Sequence, residues 1–129
     1  SGMAKFVSED KALIMLSFRY LSDDHFWFSL FHEIGHLVLH GRKSTFVEGE
    51  GFECTEEEKE ANEFAALTLI PTDFRNNMRA HADNYRSIMK FARSVGVAPG
   101  IVVGQMQYEG ILKSGHMNKL KVRYSWSSI

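Results

Sequence analysis

Cysteine, proline and long apolar runs are scarce in this chain, and neither sign of charge dominates it. A single cysteine among 129 residues cannot form an internal disulfide, so nothing points to an oxidising compartment. The formal net charge of −1 gives no electrostatic reason to expect nucleic acid or an anionic membrane as a partner. No apolar run approaches the length of a membrane span, and no signal-peptide pattern is found. We therefore expect a soluble, cytoplasmic protein.

The composition is that of one globular domain. Hydrophobic residues make up 44% and charged residues 24% of the chain, which is unlike a disordered or fibrous sequence. The chain is long enough to bury a core of its own. We expect residues 3–129 to form a single domain. We interpret Ser1-Gly2 (positions 1–2), which precede Met3, as the remnant of an expression tag that lies outside the fold.

Residue patterning predicts two short strands and a series of helices. The apolar run at residues 11–20 predicts a largely buried strand, and residues 45–48 predict a second, shorter one. A helix beginning near His25 is apolar nearly all round, so we expect it in the middle of the domain, with Gly41 as its C-cap. Further helices are predicted at residues 55–70, 72–81, 85–94 and 100–108, and a strand-like tail at residues 119–126.

The most informative stretch is H-E-x-x-H at residues 32–36 of the first predicted helix. Residues four apart lie on one face of a helix, so His32 and His36 can offer two imidazole nitrogens to one metal ion. Glu33 projects to the side, where it can reach a water on that ion without ligating it. Burying these three side chains would be costly without a partner such as a metal. The pattern predicts the zinc site of a metallopeptidase.

A catalytic zinc ion needs a third protein ligand, for which three residues are candidates. His40 lies one further turn, about 5 Å, along the helix, which is too far to share the ion. Leu39 stands where metzincins have a chain-turning glycine, so we predict that His40 supports the site or caps the helix. Glu58 belongs to the next helix, whose projection turns it inward. Cys54, just before that helix, could supply a thiolate but ranks below Glu58.

We take Glu58 as the third metal ligand. Glu57 is nearly as well placed on the projection, and Asn62, one turn after Glu58, is a candidate to support it without touching the ion. A plainer interpretation makes Glu58 only the capping-box partner of Thr55. We predict ordinary surface or core roles for the remaining histidines, which are His25, His81 and His116.

Two blocks of the sequence together resemble the ImmA/IrrE family of metallo-endopeptidase domains. Residues 32–40 read HEIGHLVLH and residues 58–71 read EKEANEFAALTLIP. These match the family patterns H-E-x-G-H-x-x-x-H and E-x-x-A-N-x-F-A-A-x-x-L-x-P. The segments KALIMLSFRY and VGVAPGIVVGQMQYEG extend the resemblance to the peptidase-like domain appended to xenobiotic-response-type regulators and HigA-like antitoxins. The resemblance covers nearly the whole chain.

The resemblance implies an α+β fold of the gluzincin type. A small antiparallel or mixed sheet would pack on the active-site helix, followed by a glutamate-bearing helix and a helical C-terminal part. His32, His36 and Glu58 would bind zinc, and Glu33 would take a proton from water and pass it to the leaving amine. His116, Arg123 and Tyr124 are the candidates for the oxyanion donor. In relatives a DNA-binding helix-turn-helix domain often precedes this one, so we expect a piece of a longer protein.

The expected function is that of a zinc-dependent endopeptidase acting on a repressor, an antitoxin or a toxin, with manganese or iron as alternative metals. A substrate strand would pair with a sheet edge at residues 45–48 or 11–20. The alternative is a metal-binding sensor or interaction domain of a transcriptional regulator or toxin–antitoxin system that cleaves nothing; an intact Glu33 favours the enzyme. Residues 94–99 join two helices as in a helix-turn-helix, but the second helix lacks basic residues, so we expect no direct nucleic-acid binding.

Overall fold

The computed structural model describes residues 2–17, 22–41, 46–47 and 55–125. It confirms an α+β fold. The strands are β1 (Gly2–Phe6), β2 (Ala12–Leu16) and β3 (Phe46–Val47). The helices are α1 (Asp23–His40), α2 (Glu56–Leu69), α3 (Thr72–Met78), α4 (Tyr85–Val95) and α5 (Pro99–Tyr108), with 3₁₀ turns at Arg79–His81 and Asn118–Leu120.

The chain divides into two compact units. The first contains Ser1–Arg19 and Phe28–Thr68, and the second contains Tyr20–Trp27 and Leu69–Ile129. Helix α1 contributes residues 23–27 to the second unit and residues 28–40 to the first. No helix in the described parts of the chain is both long and apolar enough to cross a membrane.

The sheet of the first unit is antiparallel, with the strand order β2-β1-β3. Ala4 in the middle of β1 is buried and pairs with Ile14 on one side and Phe46 on the other. Strands β2 and β3 are therefore the edges of this sheet within the described residues. The expectation that Gly2 lies outside the fold is wrong, because Gly2 opens β1 and pairs with Leu16. Whether Ser1-Gly2 derive from a tag stays untested.

The prediction of a largely buried strand at residues 11–20 is wrong in burial and in length. Strand β2 ends at Leu16, and Leu13 and Met15 are 40% and 54% exposed. They alternate with Ile14 and Leu16, as expected of an edge strand with one covered face. Residues 18–20 of the predicted strand lie outside the described residues, as do Thr45 and Glu48 at the ends of the second predicted strand.

Helix α1 buries its polar motif better than its apolar residues. It begins two residues before the predicted start and ends at His40, where Gly41 takes the left-handed conformation expected of a C-cap (φ +73°). The expectation of a helix covered all round is wrong, because Val38 is 63% exposed and Leu39 is also exposed. The buried positions between residues 28 and 40 are those of the H-E-x-x-H segment, namely His32, Glu33, Gly35 and His36.

Helix α2 starts as the sequence predicts and packs closely against α1. The backbone N–H of Glu58 donates to Thr55 Oγ1 at 3.2 Å, which is the N-cap hydrogen bond. A Cβ atom on Gly35 of α1 would lie 3.0 Å from the ring of Phe64. Ala61 and Ala65 are fully buried. The missing side chain at Gly35 therefore lets α1 approach Phe64 of α2 closely.

The second unit is built around α4 and α5. Asn84 caps α4 by accepting from the N–H of Ser87 at 2.8 Å, and Gly96 ends it with φ +90°. Met89 is exposed, although it is an apolar residue next to the buried Ile88. The core residues of this helix pair are Ile88, Phe91, Ala92, Ile101, Val102, Val103 and Met106.

The predicted strand at residues 119–126 is also wrong. The chain makes a 3₁₀ turn at Asn118–Leu120, and Arg123 forms only an isolated bridge with Ser22. Val122 is hydrogen-bonded to the first residue of α1, because its backbone N–H donates to Asp23 Oδ1 at 3.2 Å. Burial raises the pKa of Asp23, although backbone hydrogen bonds partly oppose this. Trp126 lies outside the described residues.

Candidate metal centre

Three predicted ligands converge at one point between α1 and α2. His32 Nε2 lies 3.2 Å from His36 Nε2. The carboxylate of Glu58 reaches both rings, with Oε2 at 3.1 Å from His32 Nε2 and Oε1 at 2.8 Å from His36 Nε2. Both histidines are about 1% exposed, and the Glu58 side chain is 22% exposed. Among the described residues this is the group of three side chains able to hold a metal ion.

The spacing of these atoms fits a single ion. Ligand atoms that surround zinc tetrahedrally at about 2.0–2.1 Å lie roughly 3.3 Å from one another. The three observed separations, 2.8 to 3.2 Å, are only slightly shorter. Two imidazole nitrogens and one carboxylate are also the donor set of a known class of catalytic zinc sites. The residues present therefore fit a divalent metal such as zinc.

Each element contributes to the site for a local reason. The four-residue spacing of His32 and His36 places both on one face of α1, as the sequence predicts. Glu58 lies in the first turn of α2, whose start is set by the Thr55 cap. The close approach at Gly35 and Phe64 then brings that first turn within reach of the two histidines. The third ligand position thus depends on helix packing as well as on sequence.

Glu58 uses different atoms for its two predicted roles. Its backbone N–H donates to Thr55, while its carboxylate lies on the histidines. Glu57 is exposed, so the alternative ligand on the same turn points elsewhere. Asn62, one turn after Glu58, is half-buried, and its supporting role stays a prediction. Cys54, the other candidate ligand, lies outside the described residues.

Glu33 is fully buried beside the first strand. A Cβ atom on Gly2 would lie only 2.8 Å from Glu33 Oε2, so the carboxylate rests against the backbone of β1. The expectation that Gly2 lies outside the fold left no place for this contact between β1 and Glu33. The three apolar residues around Lys5 in Met3-Ala4-Lys5-Phe6 are the signal that could have revealed the strand.

His40 contacts the ring of His36 from the side away from Glu58. The two Nδ1 atoms lie 3.1 Å apart, within hydrogen-bond distance. His40 Nε2 lies a further 3.6 Å from Glu60 Oε2. His40 is therefore placed within reach of the His36 ring, and its role in supporting the site stays a prediction.

The electrostatics of the site favour a neutral His36. Burial lowers the pKa of His36, and the nearby Glu58 carboxylate opposes this only in part. A neutral imidazole keeps the lone pair that a metal needs, whereas an imidazolium must first lose a proton. The ring is thus held in its metal-binding form at neutral pH.

The remaining predicted residues lie in the second unit. His25 and His116 are exposed, and His81 contacts Ser87 and stacks near the ring of Phe91 at 5.0 Å. These are the ordinary surface and core roles that were expected.

The three candidates for the oxyanion donor, His116, Arg123 and Tyr124, also belong to the second unit. A role for any of them as oxyanion donor stays a prediction.

An α+β fold with two histidines and a glutamate on neighbouring helices defines the class of metallopeptidase-like domains. Comparison with protein-family models matches residues 3–104 to the Peptidase_M78 family, described as the IrrE N-terminal-like domain. The match covers well over half of the chain, so the chain belongs to this family and the predicted relationship is confirmed. No curated protein and no solved structure matches it.

Proposed function

We propose that this chain is a zinc-dependent endopeptidase of the gluzincin type. The observation that carries the proposal is the convergence of His32, His36 and Glu58, whose ligand atoms lie within 4.8 Å of one another. Glu33 directly follows His32 in the sequence. Family membership supports a metallopeptidase activity. The proposed metal ligands are these three residues, and Glu33 is the proposed catalytic base.

The proposed chemistry assigns a task to each side chain. When bound, the divalent ion supplies Lewis-acid polarisation of the scissile carbonyl and acidifies water. Glu33 accepts the proton of the attacking water and donates it to the leaving amine. His40 holds the ring of His36 through the contact between their Nδ1 atoms. Asn62 supports Glu58 from the following turn of α2.

The proposed substrate is an extended segment of a repressor, antitoxin or toxin in the cytoplasm. Such a segment would add to an edge of the sheet through backbone hydrogen bonds. Both strands expected to receive it, β2 and β3, are edge strands in the part of the chain that the structure describes, while β1 is paired on both sides. We propose no direct nucleic-acid contact and no membrane contact for this site.

One observation favours the alternative of a metal-binding sensor. Glu33 is 0% exposed and both histidines are 1% exposed, so these three side chains are covered in this conformation, while Glu58 is 22% exposed. Such covered side chains suit a domain that responds to metal or to a partner by changing shape.

A cleavage assay with a variant of the proposed catalytic base, Glu33, distinguishes the peptidase from the metal-binding sensor. The zinc-loaded protein would be incubated with the repressor or toxin encoded beside its gene, in parallel with Glu33→Gln and with the exposed control Glu63→Gln. We expect cleavage by the wild type and by Glu63→Gln, and loss of cleavage in Glu33→Gln with its zinc content unchanged. Equal cleavage by the wild type and Glu33→Gln, or none by either, would refute the peptidase.

A further inference from the structure

Helix α4 exposes a face that is basic along one side and apolar along the other. Tyr85, Arg86, Met89, Lys90 and Arg93 are all exposed. At roughly 100° per residue they fall within about 140° of the helix circumference. The buried residues of α4 lie on the opposite side of the helix. A shallow surface depression runs along the exposed side. We refer to these five residues as the basic face.

The cations of the basic face are not neutralised within the described parts of the chain. Arg86, Lys90 and Arg93 form no ion pair there. Helix α4 also contains no acidic residue of its own. Three unpaired cations next to exposed Tyr85 and Met89 have the mixed chemistry of a protein interface, in which arginine, methionine and aromatic residues are enriched.

Helix α2 carries a face of opposite charge with the same spacing. Glu56, Glu60, Glu63 and Leu67 are exposed and fall within about 60° of one another on the helix projection. We refer to these four residues as the acidic face. Its carboxylates stand at positions i, i+4 and i+7, as do the cations of the basic face. In each set the first and the last charged residue are about 10.5 Å apart along the helix axis.

We propose that the basic face of one copy binds the acidic face of a second copy. Each carboxylate of Glu56, Glu60 and Glu63 then meets one cation of Arg86, Lys90 and Arg93. The antiparallel arrangement pairs Glu63 with Arg86 and brings Leu67 towards Tyr85, so that the apolar ends of the two faces also meet. It further sets the dipoles of the two helices antiparallel, which is the favourable side-by-side orientation.

The expected association is weak and sensitive to salt. Exposed ion pairs contribute only about 0–1 kcal/mol each, and Glu56 and Glu60 already lie 3.5 and 3.6 Å from Lys59 and His40. One helix pair also buries less than the roughly 1,200 Å² of a stable interface. Charge complementarity mainly accelerates encounter and selects the partner. We therefore expect association in the micromolar range or weaker.

Sedimentation velocity of the full chain at low and high salt tests the proposal. We expect dimers or longer assemblies at low salt, and an association constant roughly tenfold lower or more in half-molar salt. The double variants Arg86→Glu with Arg93→Glu, and Glu56→Lys with Glu63→Lys, should each be monomeric. A mixture of the two variants should associate again, because the reversed charges complement each other.

Two variants with the same change in charge elsewhere serve as controls. Lys113→Glu with Lys119→Glu matches the first double variant, and Asp10→Lys with Glu57→Lys matches the second; all four positions are exposed and lie off both faces. Both controls should associate like the wild type. Circular dichroism of every variant confirms that it is folded.

Three results would overturn the proposal. The first is a wild type that stays monomeric at low salt up to high micromolar concentration, and the second is a mixture of reversed variants that remains monomeric. The third is a monomer that binds a labelled DNA duplex and loses that binding with Arg86→Glu and Arg93→Glu. That outcome would assign the basic face to phosphate groups instead of a second copy.

Discussion

Glu58 shows how one residue can satisfy two patterns at once. From the sequence we expect a metal ligand at this position, with the capping-box partner of Thr55 as the plainer alternative. In the structure its backbone N–H makes the cap and its carboxylate lies on the histidines. The two roles therefore do not exclude each other, and a substitution that keeps the cap can test the ligand alone.

Replacing Glu58 by glutamine should weaken metal binding and leave α2 intact. Glutamine keeps the backbone N–H that donates to Thr55 but removes the anionic ligand beside His32 and His36. We expect zinc affinity, measured by competition with a chelator, to fall at least tenfold, the scale on which even supporting residues act. Helix content measured by circular dichroism should be unchanged.

The neighbouring residue provides the matched control for that substitution. Glu57→Gln removes the same charge from the same turn, and Glu57 is exposed. It should bind zinc like the wild type. If Glu58→Gln retains wild-type zinc stoichiometry and affinity, or if Glu57→Gln weakens binding equally, the assignment of Glu58 as a ligand is wrong.

The spacing between α1 and α2 is the main determinant of the site among the elements. His32 and His36 come from one helix, so their spacing follows from the helical repeat alone. Glu58 must be brought to them by packing, and the contact of Gly35 with Phe64 sets how closely the helices approach. The glycine of the H-E-x-G-H segment therefore has a steric role in this chain.

Replacing Gly35 by alanine should reduce zinc affinity more than stability. The added methyl group would lie 3.0 Å from Phe64 Cδ1 and 3.2 Å from its Cβ, which forces the ring or α2 to move. Alanine gains about 1 kcal/mol of helix propensity, which offsets part of an overpacking cost of about 1–3 kcal/mol. The loss of zinc affinity caused by moving Glu58 away from the histidines is not offset by helix propensity. We expect zinc affinity, measured by chelator competition, to fall several-fold.

A second substitution tests the cause of that loss. Phe64→Leu in the Gly35→Ala background removes ring atoms next to the new methyl group and should recover most of the zinc affinity. Unchanged affinity in Gly35→Ala, or no recovery in the double variant, would show that helix spacing does not control the third ligand.

At the scale of the molecule, the small net charge conceals two oppositely charged units. The first unit contains six Lys and Arg against eleven Asp and Glu, for a formal charge of −5. The second contains nine against five, for a formal charge of +4. A sum of −1 therefore says little about either surface. A charged partner responds to the charge of the unit it approaches, because electrostatic fields are screened within about 10 Å at ordinary salt.

Zinc should stabilise the folded chain, because the three ligands come from two helices that meet only after folding. A ligand at a hundredfold excess over its Kd adds about 2.7 kcal/mol to the free energy of unfolding. For a domain of this size we expect Tm to rise by several degrees in a thermal melt with added zinc. Chelator should reverse the rise.

Variants separate specific stabilisation from weak surface binding of zinc. His32→Ala with His36→Ala should show no rise in Tm, whereas Glu33→Gln, which keeps all three ligands, should show the full rise. A rise of equal size in the histidine double variant would place the bound zinc elsewhere on the protein.

Features that depend on neighbours in the chain followed from the sequence alone. The pairing of His32 with His36, the Thr55 cap and the stop at Gly41 each involve residues within a few positions, where helix geometry relates spacing to direction. The ImmA/IrrE relationship rests on such local patterns as well. These features were predicted correctly without knowledge of the fold.

Features that join distant segments required the tertiary structure. The sequence did not predict strand β1, which begins at Gly2, because the contacts that hold it are distant in the chain. Gly2 pairs with Leu16 of β2 and lies against Glu33 of α1. The burial of β2 was misjudged because an apolar run does not reveal whether a strand is central or at an edge. Helix periodicity points both Glu57 and Glu58 towards the inside of the domain. Only the packing of α2 against α1 shows that Glu58 lies at the histidines and Glu57 is exposed. In each case the deciding energy comes from packing between segments, which has no signature in local sequence.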